Sequence, residues 1–278
     1  MTHSPAEISR LLATIGRHPR RDLGQNFVAD AGTVRRVAAL AAVGPGDHVV
    51  EIGAGLGSLT LALAETGARV TAVEVDRHLT PVLRDVAAAS EGVSIVEADA
   101  MSLDWAAITD GEPCVLVANL PYNVATPLVC DVLDDVAEVE RMVVMVQREV
   151  AERFAAGPGS RAYGAVSVKI AYWASATITG DVTREVFVPR PNVESSLVRI
   201  VRRPPPCPDV DRGVLFSLVR SAFGQRRKML RRSLSGIVHD ADLALAGIPG
   251  SDRPEQVDVD AWCRLASIVT SRRAGARP

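Results

Sequence analysis

The 278-residue chain is 47% hydrophobic and 23% charged, with a formal net charge of −2. That length and apolar content suffice for a sizeable core in one large domain or two unequal ones, and the near-neutral balance by itself points to no polyanionic partner. No apolar run approaches the roughly 20 residues needed to span a bilayer, and the opening "MTHSPAEISRLLATIGRHPRR" carries no signal-type apolar segment, so no membrane association and a cytoplasmic location are expected.

In chain order, Ser4 is placed to cap a short helix with apolar positions Ile8, Leu11, Leu12 and Ile15. A basic stretch follows (Arg17, His18, Arg20, Arg21), then "LGQNFVAD", read as a loop within residues 16–30. A helix is expected from about Ala31 to Val43, stopped by Gly44-Pro45-Gly46. Apolar strands then alternate with helices: "HVVEIG", "RVTAVEVD", "VSIVEAD", "CVLVAN" and "RMVVMVQ", with helices over "SLTLALAET", about 77–89 and about 125–136. That alternation argues for an α/β fold, a parallel sheet covered on both faces. Beyond Glu149 the pattern weakens, with a loop in "FAAGPGSRAYG" and apolar segments at 166–172 and 197–201. After the proline-rich "RRPPPCPDV", helical patterns over about 214–223, 228–235, 241–246 and 261–270 suggest a small all-helical domain. The expected division is therefore 1–203 and 204–278. The cysteines at 114, 130, 207 and 263 form no C-x-x-C pair and have no histidine cluster, so neither a metal site nor a disulfide is expected and the thiols are read as buried and free.

"EIGAGLG" puts glycines at 53, 55 and 57 directly after the first long strand, where a missing Cβ lets backbone approach a ligand. Ser58 stands where the dinucleotide fingerprint needs its third glycine. Taken alone, the turn leaves a dinucleotide or no ligand open. Its E-x-G-x-G-x-G spacing resembles the first motif of S-adenosylmethionine-dependent methyltransferases. Glu74, ending the second strand, suits two ribose hydroxyls, and Asp99, after the third, suits an adenine amino group.

Asn119 ends the fourth strand, followed by Leu120, Pro121 and Tyr122. Taken alone, Asn-Leu-Pro-Tyr is a strand-ending turn. After a glycine turn of this type it suits chemistry on an exocyclic amine. The amide oxygen of Asn119 and the Leu120 carbonyl accept the two N–H bonds of an adenine amine, and Tyr122 stacks on a base drawn out of its helix.

With these residues the chain resembles the small-subunit ribosomal RNA adenine dimethyltransferases, through "LGQNFVAD", "VEIGAGLGSLT", "AVEVD", "EADAM", "NLPYNVATPL", "VQREVAERF", "GSRAYGAVSV", "FVPRPNVESS" and "AFGQRRKML". The resemblance implies a Rossmann-like class I methyltransferase domain with a smaller all-helical C-terminal domain. It implies S-adenosyl-L-methionine as cofactor, held by Asn26, Val28, Gly53, Gly55, Glu74, Asp99 and Asn119. The reaction implied is N6,N6-dimethylation of two adjacent adenines near the 3′ end of small-subunit rRNA in immature 30S-type particles. Asn119, Leu120, Tyr122 and Phe187 would act on the base, with Phe187 as a second aromatic wall. Lys169-Ile170-Ala171 replaces a segment that often carries glutamine, and Arg232 stands where asparagine is usual.

No Asp or Glu occurs from Gly213 to His239, while Arg220, Arg226, Arg227, Lys228, Arg231 and Arg232 cluster there. On one helix 227 and 231, or 228 and 232, share a face, which makes a phosphate-binding ridge. Arg20 and Arg21 would line the other side of an RNA channel. A monomer is expected. Three rival readings stay open: a large-subunit rRNA dimethylase of the macrolide-resistance type, a non-catalytic ribosome assembly factor and, more distantly, a small-molecule methyltransferase, which would not need the acid-free basic stretch.

Overall fold

The computed structural model describes residues 3–20 and 23–275, with the backbone alone at Tyr122 and Gly275. The chain divides into two compact units, Met1–Ala151 with Thr177–Arg202, and Glu152–Ala176 with Arg203–Pro278.

The first unit opens with α1 (Pro5–Thr14), where the Ser4 hydroxyl accepts the Glu7 N–H at 3.3 Å and Ile8 and Leu12, one turn apart, are buried. Then come β1 (Phe27–Val28), α2 (Ala31–Ala41), β2 (His48–Ile52), α3 (Ser58–Ala64), β3 (Arg69–Glu74), α4 (Thr80–Ala87), β4 (Val93–Glu97), α5 (Trp105–Thr109), β5 (Cys114–Asn119), α6 (Tyr122–Asp135) and β6 (Val139–Gln147). Helix α7 (Arg148–Ala155) leads into the second unit, α8 (Ala165–Trp173) lies within it, and β7 (Ala174–Val182) leads back. Strands β8 (Phe187–Val188) and β9 (Ser195–Arg202) complete the first unit.

Among the described residues one sheet has the order β4-β3-β2-β5-β6-β9-β7. Strands β2 to β6 run parallel, and β9 is antiparallel to β6. Every residue of β2 is buried, His48 and Glu51 along with Val49, Val50 and Ile52, as in a parallel sheet covered on both faces. On one face Val34 and Val37 of α2 and Leu63 of α3 pack with Val49, Val115, Val117 and Val143. Each such side chain removed from water contributes about 1.5–3 kcal/mol. Arg202, at the end of β9, donates to the carbonyls of Val132, Leu133, Val136 and Val139 and so closes the C-terminal end of α6. The strand order reverses between β2 and β5, and that reversal sets the site.

The second unit contains α8, α9 (Arg212–Phe223), α10 (Leu230–Ser233), α11 (Asp240–Leu245) and α12 (Val259–Gly275). Its core joins Tyr163, Val168 and Tyr172 with Leu215 and Val219 of α9 and Trp262 and Leu265 of α12. The Tyr163 hydroxyl donates to the Val257 carbonyl at 3.0 Å, so its polar end is satisfied inside the unit.

The structure departs from the sequence expectations at several points. The units do not divide at a single cut after residue 203, because 152–176 packs its apolar side chains into the helical core. Cys207 and Cys263 form a disulfide with Cα atoms 6.2 Å apart, against the expectation of four unpaired thiols; Cys114 and Cys130 are buried and outside any disulfide. Fifty-six positions separate the two partners, and no local spacing betrays a pairing that folding creates. The "LGQNFVAD" segment, expected as loop, contains β1, whose antiparallel partner β8 lies far along the chain. Helix α7 and the edge strand β7 lie where no helix or strand was expected, and a short α10 replaces a helix over 228–235.

Candidate active site

In an open α/β sheet ligands bind beyond the carboxyl ends of the strands, at the point where the order reverses. A cavity lies there, floored by the turn after β2, flanked by the ends of β3 and β5, and roofed by Leu23–Val28. Gly53 and Gly55 sit in the left-handed region, at φ 74° and 58°. A Cβ on Gly55 would stand 3.0 Å from the ring of Phe27, so the roof closes on the turn only where no side chain intervenes.

Glu74 is buried, and each carboxyl oxygen holds a backbone N–H. Oε2 accepts from Gly55 at 2.7 Å and Oε1 from Asp76 at 2.9 Å. Burial raises its pKa, while those two N–H groups pull it back down. The second strand's end is thereby tied to the glycine turn, and each oxygen keeps lone-pair capacity toward the cavity. Glu51, also lining the cavity, accepts from the Thr60 hydroxyl at 2.5 Å, and burial pushes its pKa up to about 8. Glu51 and Glu74 are the ionisable side chains lining the cavity, and no Lys, Arg or His joins them among the described residues.

Asn119 ends β5 half-buried at the cavity wall, and its Nδ2 donates to the Asn26 carbonyl at 3.0 Å. Leu120 is buried, its N–H bonded to the Met145 carbonyl at 3.0 Å, and Pro121 caps α6. Tyr122 begins α6, but its side chain lies outside the described residues.

Around this cavity the structure gathers Asn26, Val28, Gly53, Gly55, Glu74 and Asn119. Asp99 does not line it. Asp99 is exposed and caps a 3-10 turn, accepting the Met101 N–H at 2.9 Å. Phe187 does not line it either; it lies opposite Val28 in the β1–β8 pair and packs with Val34 and Val37. Glu51, Gln25 and Phe27 line the cavity without having been expected there. All three fall inside quoted motifs, and only the chain crossing from residue 27 to residue 55 makes lining residues of them.

The basic residues separate into two kinds. The Arg226 Nε pairs with Glu255 at 2.7 Å and its NH2 group donates to the Arg161 carbonyl at 2.8 Å, so this side chain braces the second unit. Lys228 is exposed, its Nζ on Gln225 Oε1 at 2.7 Å, and Arg220, Arg227, Arg231 and Arg232 are exposed. The expected shared helix face is not formed, because 224–227 is a turn and α10 spans only Leu230–Ser233. Arg20 is exposed, and Arg21 lies outside the described residues.

A glycine turn, an acid on the neighbouring strand and a ligand cavity at the strand reversal define a nucleotide-type binding protein of the open α/β class. The sequence profile of the family described as ribosomal RNA adenine dimethylase matches residues 16–271, and the chain belongs to that family. The chain is 46% identical to the ribosomal RNA small subunit methyltransferase A of Acidothermus cellulolyticus, over 96% of this chain and 94% of the relative. It is 45% identical to the protein of that description from Cutibacterium acnes, over 98% and 95%. Among solved structures, the 23S rRNA methyltransferase ErmE matches with a TM-score of 0.69 and 25% identity, covering 88% of this chain and all (100%) of that one. A dimethyladenosine transferase from Plasmodium falciparum shares the fold, with a TM-score of 0.72 and 20% identity over 88% of this chain and 97% of its own. No helix among the described residues is long and apolar enough to cross a membrane.

Proposed function

We propose that this chain methylates N6 of two adjacent adenines near the 3′ end of small-subunit rRNA, using S-adenosyl-L-methionine and leaving N6,N6-dimethyladenine. The observation that carries this reading is Asn119 at the end of β5, its amide nitrogen engaged by Asn26, on a cavity whose ionisable side chains are two carboxyls. A lining without cations suits a donor bearing positive charge. The relatives at 45–46% identity, both described as small-subunit methyltransferases, favour that target over the large-subunit alternative.

When bound, the donor supplies an electrophilic methyl group on a positive sulfur. The work of the chain is positioning. Gly53 and Gly55 let backbone approach the donor, Glu74 offers lone pairs to its ribose hydroxyls, and Asn26 and Val28 cover it. Asp99, outside the cavity lining, would accept a hydrogen bond from the donor's adenine amino group. The Asn119 oxygen and the Leu120 carbonyl accept the target's N–H bonds, which turns the nitrogen lone pair toward the methyl. Each transfer makes an N–C bond, breaks an S–C bond and releases one proton from N6 to water. Tyr122 stacks on the extruded base. Phe187, packed behind β1, sets the wall against which that base rests.

The helical unit contacts the RNA. Arg227, Lys228, Arg231 and Arg232 form its phosphate-facing set, with Arg20 and Arg21 contributing from the N-terminal segment. Arg226 serves the fold. The protein acts in the cytoplasm, as a monomer, on immature 30S-type particles.

The test combines labelled donor and immature small subunits with wild-type protein and Asn119→Ala. Wild type is expected to produce dimethyladenosine that stops primer extension near the 3′ end. Asn119→Ala is expected to lose at least about 100-fold in rate, with donor binding weakened by a much smaller factor. Labelling of naked large-subunit RNA instead would overturn the proposed target. Full activity of Asn119→Ala would overturn the mechanism, and subunit maturation without methylation by wild type would favour an assembly factor.

A further inference from the structure

Gln25 lies within the roof of the cavity, beside residues assigned above to the donor, and has no assigned task. Its side chain is the most connected in that segment. The side-chain Oε1 accepts the Arg20 N–H at 2.8 Å and Nε2 donates to Asp76 Oδ2 at 2.9 Å, while the Gln25 backbone N–H donates to the Arg20 carbonyl at 3.0 Å. Gln25 therefore holds on to Arg20 and fastens the roof to the loop after β3.

Asp76 is a well-anchored partner. It is buried, its Oδ1 accepts the His78 N–H at 3.0 Å, and its own N–H is held by Glu74 Oε1 at 2.9 Å. Glu74 in turn holds the Gly55 N–H. A continuous chain of hydrogen bonds thus runs from the glycine turn through Glu74 and Asp76 to Gln25.

The next residue carries the chain across the cavity. The Asn26 carbonyl accepts from Asn119 Nδ2 at 3.0 Å, and the Asn26 side chain donates to the Gly24 carbonyl at 3.0 Å. Gly24, at φ 63°, lies so close to Pro121 that a Cβ there would stand 2.8 Å from the proline Cβ. The roof is thereby seated at both ends, on Asp76 at the donor side and on Pro121 at the acceptor side.

The chemical consequence concerns the Asn119 carboxamide. With Nδ2 against a carbonyl, the amide cannot flip without setting oxygen against oxygen at about hydrogen-bond distance, which is repulsive. Its Oδ1 accepts no hydrogen bond among the described residues and stays available to the incoming amine.

We infer that Gln25 is a positioning residue for the methyl transfer: through Asp76 it seats the roof whose Asn26 carbonyl holds the Asn119 amide with its oxygen toward the acceptor. This rests on the function proposed above. It makes donor binding and amide orientation depend on one side-chain contact.

The pair admits a reciprocal test. Gln25→Glu sets two carboxyl groups against each other. Adding Asp76→Asn restores the contact with its direction reversed, since the new amide donates to the new carboxylate, while the Arg20 and His78 N–H groups keep their acceptors. Donor affinity is measured by calorimetry, kcat on immature small subunits by methyl incorporation, and folding by circular dichroism. Donor binding and methylation by wild type test the proposed function; the variants test this inference.

For Gln25→Glu and Gln25→Ala, donor Kd is expected to rise and kcat to fall, each by about tenfold or more, the effect of losing a hydrogen bond to a charged partner. The double variant Gln25→Glu/Asp76→Asn is expected to return both to within about threefold of wild type. A double variant as defective as Gln25→Glu would overturn the inference. So would single variants that match wild type in Kd and kcat, or that lose only thermal stability, or a failure of every variant to fold.

Discussion

The two units handle polar groups in opposite ways. In the first, carboxyls and amides are drawn to the ends of buried strands and held there by backbone, as Glu74 is by Gly55 and Asp76. In the second, the interior is apolar and aromatic around Trp262, and the charged groups lie outside it or brace it. Arg226 on Glu255, Arg272 on Asp242 and Arg264 on the Ala246 carbonyl are braces, whereas Arg227, Arg231 and Arg232 are exposed. A strand end places a functional group to within a fraction of an ångström. A helical surface offers a field of charge, and which charges are free is settled only by their neighbours.

The largest effect should come from emptying the helical core. Trp262→Ala is expected to cost about 3–5 kcal/mol in denaturant unfolding. Trp262→Phe should cost less than about 1.5 kcal/mol, because the indole N–H has no partner among the described residues to forfeit. Equal losses would show that the indole is held by more than packing.

The first unit should show its buried polar group through pH. Burial lifts the Glu51 pKa from its ordinary 4.5 to about 8, so over that interval the native state keeps a proton that the unfolded chain has released. This carboxyl's contribution is complete below about pH 4.5, declines as pH rises and is gone above about pH 8, a change of at most about 5 kcal/mol. Unfolding at pH 5 and pH 8 should show that decline in wild type and lose it in Glu51→Gln. An identical pH profile in both proteins would place the titration elsewhere.

The smallest effects separate braces from free charges. Arg226→Ala should lower stability by about 1–3 kcal/mol, by leaving the half-buried Glu255 and the Arg161 carbonyl without their partner. Arg227→Ala should leave stability within about 0.5 kcal/mol and reduce the salt dependence of RNA binding by about one unit of slope. The reverse pattern would exchange their roles.

Much of the first unit was legible in the sequence, because strands buried on both faces are predominantly apolar and the turn after β2 needs glycine. Periodicity alone located β2, β3, β5 and β6 to within a few residues. It was silent on β1, two residues long and paired with the distant β8. In the site, the order of Gly53, Glu74 and Asn119 was readable because each closes a strand. Gln25 and Asp76 were not, since their partnership spans 51 positions. The disulfide between Cys207 and Cys263 was invisible for the same reason.

The amino-acid order by itself determined an open α/β sheet with polar residues at its carboxyl edge, because hydrophobic period and turn chemistry are local. Tertiary structure alone decided which carbonyl faces Asn119, which arginine meets an acid and which cysteines meet. Those contacts depend on chain crossings, and a hydrogen bond that forms across dozens of residues leaves no periodic trace.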